Sequence, residues 1–229
     1  MMFSILLTTV FASLTLAAPS LKSGCDVSHV VIPLPAGQTQ LVAPTTTTPR
    51  FIGIAAGVQN YTCAATGTYT NVGAVAEIFD VSCLDPGLFV KATDIVSSVW
   101  EKAPKGVTPQ KVIKDLAVIG SPIVLGQHYF ITNPITGTGL SPKWDFTSAS
   151  LAGHPDAFVV GARTGDLPSP TDPTENIDWL SLDGVQGNLA DQIFRIETRK
   201  GQPPSSCTPG TPDISVRYAS QYWFFGGSF

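Results

Sequence analysis

Two carboxylates held about 5 to 10 Å apart suffice for glycoside hydrolysis. Glu77, Asp80, Asp145, Asp156 and Asp178 are the acids that distant strands could bring together in this chain. Each fits a solvated or turn-capping acid equally well, so spacing singles out none of them. His29, His128 and His154 lie far apart and share no ligand motif, and no Cys-x-x-Cys pair accompanies them, so no metal site is expected. A serine hydrolase of the α/β type needs Gly-x-Ser-x-Gly at a strand-to-helix turn. The nearest approach, Gly226-Gly227-Ser228, sits at the chain end. Gly53-Ile54-Ala55-Ala56-Gly57 lacks the Gly-x-Gly-x-x-Gly spacing and no helix follows it, which leaves no dinucleotide loop. Neither dehydrogenase chemistry nor any cofactor is expected from these residues.

Aromatic faces are a further candidate, because a ring plane matches the apolar face of a pyranose, although aromatic side chains are more often buried. Trp100, Trp144, Trp179 and Trp223, with Tyr61, Tyr129, Tyr218 and Tyr222, could supply such a platform. Trp144 is the candidate for an exposed one, since Pro142, Lys143 and Asp145 around it are polar or turn-forming. His128 lies in the run Ile123 to Ile131, on the opposite face from Leu125, Tyr129 and Ile131, which places it in an exposed position or a polar cleft. His128, Tyr129 and Trp144 are therefore the candidate ligand contacts.

Cys25, Cys63, Cys83 and Cys207 are even in number and do not have zinc-ligand spacing, so two disulfides are expected. A bridge closing a loop of over about a hundred residues would stabilise by about 4 to 5 kcal/mol in the chain-entropy account. Asn60-Tyr61-Thr62 is the one sequon with an allowed middle residue, an N-glycan acceptor if Asn60 points out of its strand.

An oxidising compartment agrees with the start of the chain. Residues 1–18 carry no charged side chain and read as an apolar run ending in small residues, the grammar of a signal peptide cleaved after Ala17 or Ala18. No later stretch approaches the ~20 apolar residues of a membrane span. Residues 19–229 are then one secreted domain. With 13% charged residues and a net charge of -4, no basic stripe invites nucleic acid.

Positioning falls to strands. Short apolar segments bounded by Gly, Pro, Asn and Asp recur at Val30–Ile32, Phe51–Ile54, Val72–Phe79, Ile123–Ile131, Phe158–Val160, Trp179–Leu180, Ile193–Thr198 and Ile214–Phe225. In the last, Ile214, Val216, Tyr218, Tyr222 and Phe224 alternate with Ser215, Arg217 and Gln221, a strand with one buried face. Asp94–Glu101 and Pro109–Val118 read as helices, the second capped by Thr108 with Pro109 in its first turn and Val112, Ile113 and Leu116 on one stripe. The expected fold is mostly β, a sandwich or barrel with a short helical insertion around residues 94–118. Thr45–Thr48 and Leu167–Thr174 are loops.

Gly57-Val58-Gln59-Asn60-Tyr61-Thr62-Cys63, Gly126-Gln127-His128-Tyr129, Ile177 to Leu182, Ile193 to Pro204 and Val216 to Phe225 together resemble one family across residues 45–225. It is a family of secreted fungal and bacterial proteins of unknown function, some of which carry the label malate dehydrogenase. The resemblance implies an extracellular β-rich protein of fungal type and no established activity. It also implies bridges Cys63 to Cys207 and Cys25 to Cys83, the second as a fungal addition. This chain departs from the family after His128-Tyr129, with Phe130-Ile131-Thr132-Asn133 where Gly-Pro-Thr-Trp is usual. The function expected is that of a non-enzymatic, wall-associated or effector-like binding protein whose partner is wall polysaccharide or a host protein. The rivals are a hydrolase using two dispersed carboxylates and a structural component of a wall or spore coat.

Overall fold

The computed structural model describes residues 23–229; the expected signal peptide, residues 1–18, lies outside the described residues. Eight antiparallel strands follow chain order around a closed barrel: β1 (Pro49–Cys63), β2 (Tyr69–Asp80), β3 (Val124–Thr132), β4 (Leu140–Asp145), β5 (Phe158–Leu167), β6 (Trp179–Gln186), β7 (Gln192–Lys200) and β8 (Ile214–Phe225). β8 closes on β1 in a long register running from Pro49 opposite Phe225 to Tyr61 opposite Ile214. Of the two expected architectures, the barrel is the one formed. Closure leaves no unpaired sheet edge.

Two helices between β2 and β3 form the insertion, α1 (Phe89–Lys102) and α2 (Pro109–Ile119). Thr108 caps α2 by accepting from the Lys111 amide, Pro109 opens its first turn, and Gly120 ends it in the left-handed conformation at φ 59°. Its stripe of Val112, Ile113 and Leu116 is only half-buried. α1 lies on the outside of β8, β1 and β7.

Alternation along each strand divides the apolar residues into two cores. Ala55, Ile78, Trp144, Phe146, Val159, Leu182, Ile193, Tyr218, Tyr222 and Phe224 fill the barrel. Ile52, Ile54, Trp179, Phe194, Ile196, Trp223 and Phe225 pack outside it against Phe89 of α1 and Val27, Val30 and Leu41 of the leading segment. β8 is consequently buried on both faces along its second half, not on one: Gln221, expected at the surface, is 1% exposed and donates to Thr93 of α1.

The strand expected at Val30–Ile32 is irregular chain, and β4 arises where only turn-forming residues were apparent. β4 is held by pairing with β3 on one side and β5 on the other. The bridges are Cys25–Cys83 and Cys63–Cys207, the pairing that the resemblance implied. The second joins the end of β1 to the connection between β7 and β8.

Candidate functional site: the mouth of the barrel

A cavity of about 830 Å³ opens at the end of the barrel where β1, β3, β5 and β7 finish. Its wall combines the rings of Tyr61, Tyr69 and Phe130 with the aliphatic side chains of Leu180 and Leu182. Gln59 and Arg195 bring hydrogen-bonding groups from the inner face, while Arg163, Asp166 and Asp178 do so at the rim. Gly161 is required for the space beside Trp144, since a Cβ there would stand 2.9 Å from the Trp144 ring.

Gln59 is buried, and its Oε1 accepts from Asn71 at 2.9 Å while its Nε2 has no partner among the described residues. A buried amide donor without an acceptor costs about 1 to 3 kcal/mol, a cost that a bound acceptor would remove. Arg195 lies on the inner face of β7, in step with Ile193 of the interior core. Its Nε and Nη2 donate to the Asp178 carbonyl at 3.1 and 2.9 Å, which orients the guanidinium while spending only part of its donors. Tyr61 is anchored by donating to the Gly201 carbonyl at 2.7 Å.

Asp166 pairs with Arg163 at 2.6 Å. Burial and then the neighbouring Asp166 charge push the Asp178 carboxyl above its usual range, with Arg195 pulling the other way. The arrangement can bind and orient a polar ligand through amide, guanidinium and carboxylate groups.

Beneath the cavity, Tyr218 and Tyr222 pair through their hydroxyls at 3.3 Å. His128 stacks on Trp144 with ring centroids 4.7 Å apart. Its Nδ1 lies 3.0 Å from the Lys143 carbonyl, so that nitrogen carries the proton. Burial drives the imidazole pKa down to about 3 and keeps the ring neutral. The Trp144 Nε1 and Ser220 Oγ are also buried without partners among the described residues.

The expected contacts separate accordingly. Trp144 is no exposed platform: it is 1% exposed, inside the barrel, because β4 is a paired strand whose polar neighbours Lys143 and Asp145 point outward. His128 is opposite Tyr129 as the alternation required, but it is 2% exposed and not in an open cleft, because its face is the inside of a closed barrel. Tyr129 stands on the outer face, donating to Asp145 at 2.7 Å beside the Lys143 ammonium. Although burial raises the Asp145 carboxyl, hydrogen bonds from Lys143, Thr147 and Tyr129 outweigh it and bring the pKa down to about 2. All four tryptophans are buried, and so is Tyr61, although its ring lines the mouth.

Of the five candidate acids only Asp178 reaches the mouth. Glu77 lies outside the barrel near α2. Asp80 accepts from the Gly24 and Ser82 amides, and Asp156 accepts from Asn188. Among the described residues no three of His, Cys, Asp and Glu come together to hold a metal. Asn60 is half-buried on the outer face of β1, where its Oδ1 accepts from Ser215. Gln59, Asp166 and Arg195 were missed. The signal for Arg195 was a cation inside the apolar run Ile193 to Thr198, in step with Ile193.

No curated protein matches the chain, and no solved structure does. Residues 44–226 match the family described as a protein of unknown function, DUF3455. That span holds every strand from β1 to β8 and both helices, so the chain belongs to the DUF3455 family.

Proposed function

We propose that this is a non-enzymatic binding protein that takes a small polyhydroxylated ligand, such as the end of a wall polysaccharide, into the mouth of the barrel. An eight-stranded barrel is just wide enough to hold one small ligand. The carrying observation is the cavity itself, where aromatic rings adjoin a buried amide donor with no acceptor and a guanidinium held by one carbonyl. Rings suit sugar faces, and planar amide and guanidinium groups suit adjacent hydroxyls.

The ligand is met outside the cell, at a wall or host surface. Two disulfides support that setting. An N-glycan at Asn60 belongs to the same reading, since the side chain faces outward from β1.

Titration with β-glucan and chitin oligomers of two to six units, followed by calorimetry and intrinsic fluorescence, tests the proposal. Saturable one-to-one binding without release of shorter sugars is expected. Arg195→Met is expected to weaken it at least about tenfold, the worth of a charge-assisted hydrogen bond, and Gln59→Leu to weaken it less. Failure of every oligomer to saturate the protein, or equal binding by folded Arg195→Met, would overturn it.

A further inference from the structure

Glu77 has no role in the mouth, because it projects from the outer face of β2, opposite Ala56 of β1 and Gln127 of β3. It is nevertheless 2% exposed, and its Oε2 has no hydrogen-bond partner among the described residues. A second cavity, of about 290 Å³, lies over it. Ile113 and Leu116 of α2 form an apolar wall, and Gln127 and Ser150 add neutral polar groups.

No ion pair joins Glu77 to a cation among the described residues. Lys111 of α2 pairs with Asp115, and Lys143 of β4 pairs with Asp145. Burial is the sole cause raising the Glu77 pKa, to about 7; none of Lys111, Lys114, Asp115, Lys143 or Asp145 contributes. An uncompensated buried carboxylate is costly, and a cation with matching hydrogen bonds offsets that cost. A divalent metal calls for more oxygen charge than one carboxylate brings. An alkylammonium matches both the single charge and the apolar wall.

We propose that the cleft between α2 and the outer faces of β2 and β3 binds a small organic ammonium compound, with Glu77 as its counter-ion. The site is independent of the barrel mouth, so its failure and that of the saccharide site are separately visible. The probe is n-butylammonium, which stays protonated between pH 6 and 8.5, titrated by calorimetry and amide chemical shifts. Affinity should rise about tenfold over that range as Glu77 ionises. Glu77→Gln should abolish binding at both pH values, Leu116→Trp should block it by filling the cleft, and Arg195→Met should leave it unchanged. The tripeptide Gly-Lys-Gly, presenting the same ammonium on a peptide, should bind more weakly. The proposal is overturned by pH-independent binding, by full binding in folded Glu77→Gln, or by binding of the tripeptide with none of butylammonium.

Discussion

A neutral imidazole packed between Trp144 and Tyr222 makes His128 a point where acid acts on this fold. Its folded pKa of about 3 lies below the ordinary 6.5. The unfolded chain therefore binds the proton first, and the stability His128 provides above pH 6.5 is lost as the pH falls towards 3. Replacing it by phenylalanine removes this dependence but leaves the Lys143 carbonyl without its donor, at about 1 kcal/mol. The expected outcome is a variant less stable than wild type at pH 7, with the gap shrinking or reversing by about 2 kcal/mol at pH 4.5. Urea unfolding at the two pH values measures that change. Glu77 has the opposite sign. Its folded pKa is raised, so the stability present below 4.5 is lost as the pH rises through 7. A Glu77→Gln protein should therefore resist alkaline melting better than wild type, measurable as a smaller fall in Tm between pH 5 and 8.5.

Among the elements, α1 depends on one residue of β8. The Arg217 guanidinium donates to the carbonyls of Trp100, Glu101, Ala103, Pro104 and Val107 at 2.6 to 3.2 Å and lies over the Trp100 ring. These include carbonyls at the end of a helix, which have no partner within it and gain from a nearby cation. Trp100 in turn donates to the Gly57 carbonyl at 2.7 Å, fastening the helix to β1. Arg217→Leu is expected to cost about 2 to 3 kcal/mol and to speed amide exchange across residues 100–108, with the mouth unaffected. Hydrogen exchange by mass spectrometry checks both statements. Pairing with two neighbours likewise outweighs local preference in β4, where Pro142 and the polar residues around Trp144 looked like a turn. Val30 shows the converse: its apolar run packs against the outer core without entering any ladder.

At the scale of the molecule, the first and last strands must meet before the barrel closes, and the disulfides constrain that closure. Cys63–Cys207 spans 144 residues and Cys25–Cys83 spans 58. Chain entropy makes the longer bridge worth about 0.8 kcal/mol more, within a few kcal/mol for each. Removing both partners of the Cys63 bridge should lower stability more than removing both partners of the Cys25 bridge, as read from paired denaturation curves. It should also loosen the mouth, because Cys207 donates its amide to Gly67 in the β1–β2 turn. Ligand affinity should therefore fall in the first variant and hold in the second.

Period-2 alternation and turn residues were enough to specify most of the strands, the N-terminal cap of α2 and a mostly β fold, because those preferences act between neighbours in the chain. The family resemblance added the pairing of the cysteines, which spacing alone left open. Alternation also separated His128 from Tyr129 correctly. It could not say which face would be dry: a strand distinguishes two sides, and only closure of β8 on β1 makes one side an interior. Closure carried Trp144 inward and turned Tyr129 out. It also brought Gln59, Arg195 and Asp178, which lie on three different strands or their edges, to one cavity. Helix α2 settled over Glu77 in the same way. Those groupings rest on contacts between residues far apart in sequence, so the tertiary structure alone decided which side chains line the two cavities.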